Sequence, residues 1–244
     1  MPQEFLLFKK AKQDTANNEQ NEQDKLLEDW NFTSDDLDFN SQETQNKLAE
    51  AFEHKRQSFL SLKEDMLNTF YLVKNDNEPL MQIPALRKRL IEMYCYLYFF
   101  SDMSEQGCTE VLEYSSALGK LKDTKSWSPE RDKLISNVNK VMSVVEAAKF
   151  NSDLSFEKFS FLKEQVVSTL EVPEEEFKKH NFHRLRKDMR MILYFMDILN
   201  HFCGNPSLAA AVKEYKPIVY AMCKAMDHKK TFAWKQTAQK YISG

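Results

Sequence analysis

The stretch EEEFKKHNFHRLRKDMRMILYFMDILNHFC, residues 174–203, decides how the rest of the chain is read. Phe182, Leu185, Met189, Ile192, Met196, Leu199 and Cys203 follow one another at alternating steps of three and four residues. At 100° per residue that spacing draws one continuous apolar seam along a helix, and no strand can use it. Glu176, His180, His183, Lys187 and Arg190 fall near the opposite side, so both histidines are expected to point toward water. From Met191 onward the sequence is apolar on every side, which predicts a helix whose first half is a cationic surface and whose second half enters the interior.

Composition extends that reading to the whole chain. Only 4 of 244 residues are glycine, against an average near 7% or about 17, so there are few sites for tight hairpin turns or phosphate-cradling loops. With 42% hydrophobic residues, 18 Phe, 9 Tyr and 11 Met, the chain has enough apolar surface to offset the entropy of ordering its backbone. Net charge is −3 and the pI near 6.0, which gives no global attraction to nucleic acid. The longest apolar run, MYCYLYFF at 93–100, is far short of the roughly 20 residues needed to span a bilayer. The N-terminal MPQEFLLFKK has no cationic region before its short apolar patch and no cleavage pattern. A cytoplasmic environment is therefore expected, with Cys95, Cys108, Cys203 and Cys223 reduced and in or near the core.

The expected fold is all-α: an antiparallel bundle of about seven to nine helices behind a less ordered N-terminal arm. Residues 1–40 form that arm, polar over 9–25 and then acidic and aromatic, with Leu26, Leu27, Trp30, Phe32, Leu37 and Phe39 set among acids. Such a segment can dock in a partner's groove through its aromatic anchors, or pack on its own domain. Residues 41–244 are expected to be one helical domain, the alternative being two halves split near 120–128. Leu48, Phe52, Phe59, Leu62, Met66, Phe70 and Val73 predict a single long helix after Ser41, about 50 Å if unbroken. Further helices are expected from near Pro84, over 104–120, from Ser128 and Pro129, over 153–171, from Pro173, from Asn205 and Pro206 with a kink or split at Pro217, and over 229–242.

The opening stretch and the residues just after it offer three kinds of chemistry. Glu176, His180 and His183 sit at i, i+4 and i+7 and offer metal ligands in principle, but Lys187 and Arg190 beside them oppose a cation, and no metal or cofactor is expected. Lys179, His183, Arg184, Arg186, Lys187 and Arg190 form a basic strip suited to an anionic membrane surface, a phosphoinositide headgroup, an acidic protein groove or the chain's own acidic arm. The plain alternative is a solvated helix face. His201, Cys203 and Asn205 spell thiol-protease letters, yet residues two apart on a helix point about 200° away from each other, so His201 cannot activate Cys203. No phosphate-loop, dinucleotide, zinc-protease or nucleophile-elbow motif occurs, and no catalytic residue is assigned. The run YCYLYFF at 94–100 is read as core, with a ligand cavity as the alternative.

The leading functional expectation is a non-enzymatic protein-binding module, an adaptor acting through its arm or a helix groove. Low glycine, many Asn, Gln and Lys, and a helical body are a composition shared with effector-like proteins that intracellular bacteria deliver into host cytosol. The rivals are peripheral membrane or phosphoinositide binding through the 178–190 face, assisted by Lys229, Lys230 and Lys235, and an enzyme of unrecognised type.

Overall fold

The computed structural model describes residues 30, 32–72, 82–123 and 129–227. Among these the protein is all-α, with eight helices and no strand: α1 (Gln42–Leu60), α2 (Lys63–Leu72), α3 (Gln82–Phe100), α4 (Glu105–Asp123), α5 (Pro129–Ala147), α6 (Ser155–Leu170), α7 (Lys179–Cys203) and α8 (Pro206–Asp227). One isolated bridge joins Ser101 and Phe150. No helix of the described residues is long and apolar enough to cross a membrane. The final helix expected over 229–242 lies outside the described residues, as do Leu26 and Leu27.

Where the sequence suggested an arm over 1–40 and one domain over 41–244, backbone contacts draw a finer division into two compact units. One is Asn40–Phe156, and the other joins Met1–Phe39 to Glu157–Gly244. The boundary thus falls in the first turn of α6 and not at the 120–128 connection.

In the unit Asn40–Phe156, α1 begins where Ser41 accepts a hydrogen bond from the Thr44 N–H, the side-chain cap that offsets an orphan donor at a helix start. The single long helix expected here is instead two. The Ser61 hydroxyl donates to the Ser58 carbonyl at 2.9 Å, and the Leu62 N–H bonds the Phe59 carbonyl three residues back. A serine that bonds back into its own turn bends a helix, while Phe59, Leu62 and Met66 stay buried across the break. The apolar phase therefore survives a backbone interruption that it does not reveal.

Helix α3 packs on α4 and α1, and α5 packs on α4, α2 and α1. The apolar end of α3 is the centre of this unit: Leu90, Met93, Cys95, Leu97, Phe99 and Phe100 are all buried. The tyrosines of that run, at 94, 96 and 98, are half-buried at its margin. Two long-range bonds hold the ends together. Arg56 Nη1 donates to the Glu146 carbonyl at 2.8 Å, satisfying an orphan acceptor in the last turn of α5 where positive charge is favoured. The Ser155 hydroxyl, fully buried, donates to the Phe99 carbonyl at 2.6 Å. Gly119 serves a close approach, since a β-carbon there would meet the Arg87 guanidinium at about 2.8 Å.

In the second unit the seam on α7 is buried from Phe182 to Leu199, with Cys203 half-buried at its end. The helix starts at Lys179 and not at Pro173. Residues 173–177 make a separate turn in which the Phe177 N–H bonds the Pro173 carbonyl at 2.9 Å. Lys178 is extended, and its N–H bonds Asn181 Oδ1 at 2.8 Å, so Asn181 closes the helix start that the proline and acids seemed to supply. Gly204, at φ 60°, ends α7 in the left-handed conformation that glycine adopts without penalty. Asn205 Oδ1 then accepts the N–H groups of Ser207 and Leu208 and opens α8. Pro217 does not split α8. The carbonyl it leaves without a donor is that of Lys213, and both residues are exposed, so water can replace the missing bond.

Candidate anion-binding face

The first three turns of α7 carry every residue of the basic strip. Lys179, His183 and Arg184 are exposed, while Arg186, Lys187 and Arg190 are half-buried. Helix periodicity alone puts these six on a broad face, and local contacts gather them. Arg186 Nη2 lies 3.3 Å from His183 Nδ1; an arginine can only donate, so this ring nitrogen accepts and the proton sits on Nε2. Arg186 Nη1 reaches Cys223 Sγ on α8 at 3.4 Å, which anchors the guanidinium between two helices.

The electrostatics report the same convergence. Burial first, then Arg186, Lys187, Arg190 and Lys179, holds the His183 imidazolium below its ordinary range. Four cations therefore act on one ring. Asp188 lies under this face with its carboxyl pushed up to about 6 by burial, against the opposing pull of Arg184 and Lys187. Its ion pair with Arg184 is long, 3.7 Å between Arg184 Nε and Asp188 Oδ2, and that oxygen has no hydrogen-bond donor among the described residues. Arg186 Nε and Arg190 Nε are likewise shielded from water without an acceptor among the described residues. An unmatched buried donor costs about 1–3 kcal/mol, but these two Nε–H groups are closed to water and so to any external anion; the charge this face offers comes from exposed Lys179 and Arg184 and from the half-buried Arg186, Lys187 and Arg190. Guanidinium groups one helical turn apart suit phosphate, whose oxygens can take paired N–H bonds.

The metal alternative loses its geometry, because Glu176 stands outside α7 and does not share a helix with His180 and His183. Among the described residues no group of three His, Cys, Asp or Glu side chains is placed to hold a metal ion. His201 and Cys203 lie two apart near the end of α7, one exposed and the other half-buried.

The arm's described anchors are used within the chain. Trp30 is 2% exposed, and Leu37 and Phe39 are as deeply buried, while Phe32 is half-buried. Trp30 meets Tyr215 of α8 edge-on at 5.1 Å between ring centres, and Lys163 Nζ donates to its carbonyl at 2.9 Å. Thr33 and Asp36 close a small turn through their side chains, which holds the Asp36 carboxyl below its usual range. Phe39 is returned to the turn by its N–H bond to the Ser34 carbonyl.

Asp188, Cys223 and Tyr215 were not singled out as site residues from the sequence. Asp188 could have been found as the lone acid in a cationic run; Cys223 and Tyr215 become partners only through the α7–α8 and arm packing. Comparison of the chain with protein-family models, with curated proteins and with solved structures returns no match.

Proposed function

We propose that this protein is a non-enzymatic helical binding module whose recognition surface is the cationic start of α7, and that this surface takes phosphate-bearing headgroups of an anionic membrane. The supporting observation is the convergence of Lys179, Arg186, Lys187 and Arg190 on His183, with Lys179 and Arg184 exposed on the same stretch of helix. Clustered cations near an anionic leaflet contribute about 1 kcal/mol each, and that attraction fades within a Debye length. The reading gives up the arm as the docking element, since Trp30, Leu37 and Phe39 already spend their apolar surface on this chain.

Vesicle co-sedimentation tests it. Phosphatidylcholine vesicles with phosphatidylserine and a phosphoinositide should retain the protein, and phosphatidylcholine alone should not. Retention should fall with added salt and with Lys187→Glu plus Arg190→Glu. Lys179→Glu, at an exposed position, repeats the charge reversal with less disturbance of packing. Retention that ignores salt and all three substitutions would overturn the proposal. Capture by an acidic protein in place of lipid would move the reading to a protein partner at the same face.

A further inference from the structure

Helices α7 and α8 belong to one compact unit and pack on each other. Two contacts mark the seam between them: Arg186 Nη1 with Cys223 Sγ at 3.4 Å, and Lys216 Nζ with Asp197 Oδ2 at 3.7 Å. From the first contact to the second, residue numbers rise along α7 and fall along α8, so the helices are antiparallel. At about 100° per residue, Arg186 and Asp197 stand about 20° apart on α7, and Cys223 and Lys216 about 20° apart on α8. Both contacts therefore fall on one line of each helix.

From that line the polar residues of both helices turn the same way. On α7, Arg190, His183 and Lys187 follow Arg186 at about 40°, 60° and 100° in the direction of the helical turn, and on α8, Tyr220, Lys213 and Lys224 follow Cys223 at about 60°, 80° and 100°. Right-handed helices that run in opposite directions turn in opposite senses when viewed from one end, so the two arcs open toward one side of the pair. Lys213, Lys216, Tyr220 and Lys224 are all exposed there. Glu214 falls about 120° from Tyr220, away from the arc.

Tyr220 is 67% exposed, the most of any large apolar side chain among the described residues. Lys224 Nζ lies 5.4 Å from the centre of its ring, a cation–aromatic contact that keeps charge beside it. A ring with a hydroxyl tip among lysines matches a membrane interface, where the ring meets the acyl boundary and the cations meet phosphate. Phe161 of α6, 52% exposed, makes the contrast: Glu157 and Glu164 stand about one turn to either side and oppose an anionic surface.

We infer that α8 supplies the second half of the membrane-binding surface, with Tyr220 as the side chain that enters the headgroup layer and Lys213 and Lys224 as added cations beside the α7 strip. Lys216 shares its charge with Asp197 and adds less. The inference rests on the reading of α7 as a membrane-binding face, and it gives that face an apolar anchor that the α7 strip does not contain.

The test is a binding titration of the full chain with phosphatidylcholine vesicles containing phosphatidylserine, at two salt concentrations. Lys213→Glu plus Lys224→Glu should weaken binding by about 25-fold or more, about fivefold for each cation lost near the leaflet, and the loss should shrink as salt rises. Tyr220→Ser should weaken binding severalfold by a factor that salt does not change, and Tyr220→Trp should restore or strengthen it. Phe161→Ser should leave binding as it is. All these positions are exposed, so thermal unfolding of each variant should match that of the unaltered chain. If Lys187→Glu plus Arg190→Glu releases the protein while Tyr220→Ser or the α8 lysine pair does not weaken it, the inference is overturned and the α7 reading stands. Equal losses from Tyr220→Ser and Phe161→Ser would also overturn it. An unaltered chain that ignores these vesicles, whether or not it binds an acidic polypeptide such as polyglutamate, would overturn it together with the α7 reading.

Discussion

The two halves of α7 are built from one continuous seam and yet answer to different physics. In the second half Met191, Ile192, Phe195, Met196, Ile198 and Leu199 are all buried, so what matters there is volume. In the first half the same seam continues through Phe182, Leu185 and Met189, but the rest of the circumference is cationic, and what matters is charge left without a partner. A helix can thus be legible along its whole length as a helix and carry two unrelated kinds of constraint, one that tolerates almost no change in shape and one that tolerates almost no change in charge.

The difference should be sharpest at Phe195, which lies 5.0 Å from the Phe159 ring of α6. Phe195→Ala should lower unfolding free energy by about 3–5 kcal/mol in chemical denaturation, the range for emptying an aromatic site in a packed core. Trp30→Ala should come next, near the lower end of that range at about 3 kcal/mol, because the ring is buried against Tyr215 although its indole N–H finds no acceptor among the described residues. A loss under about 0.5 kcal/mol, the size of an ordinary surface substitution, would show that the arm is dispensable to its unit and would return it as a candidate for docking.

Asp188 separates the halves by pH. Its folded carboxyl titrates at about 6, above the unfolded value, so the native state binds the extra proton between roughly pH 4 and 6. Stability from this group is therefore full at pH 4, falls as pH rises through 6, and is lowest above it. Asp188→Asn should raise unfolding free energy at pH 7.5 by about 1–3 kcal/mol, with little effect at pH 4. His183 works in the opposite sense, since its depressed value makes the native state lose its proton first and gain stability as pH rises toward neutrality. A His183→Gln variant measured beside Asp188→Asn should split the profile into these two slopes. For membrane retention the two groups agree: acidification removes the negative charge of Asp188 and moves His183 toward its charged form, so vesicle binding should strengthen from pH 7.5 to 5.5.

The smallest effect on folding should be that of Lys179→Glu, at an exposed position, within about 0.5 kcal/mol as for most surface changes. The same substitution should be among the most damaging to vesicle retention. If its stability cost matched that of Phe195→Ala, the cationic half would be part of the core and the contrast between the halves would collapse.

What could be read from the sequence was what repeats along it. The α7 seam needed only seven apolar positions in phase, and the α8 start needed only Asn205 followed by Pro206. The break at Ser61 was hidden because Phe59, Leu62 and Met66 keep their phase through it, and the decisive bond is a hydroxyl returning to its own turn. The start of α7 was misplaced because Pro173 and three acids are strong general signals, whereas Asn181 acts by a single local bond. The shared side of α7 and α8 was out of reach altogether. Lys213, Lys216, Tyr220 and Lys224 are ordinary residues of an amphipathic helix until contacts with α7 fix which way they turn.

The short link of Gly204 and Asn205 has one more effect. Arg186 meets Cys223 at one level of the α7–α8 pair, and Asp197 faces Lys216 at 3.7 Å nearer the turn, so the two helices run antiparallel and Asp227 lies beside the opening turns of α7. A two-residue connection thus decides which end of α8 stands level with the cationic face.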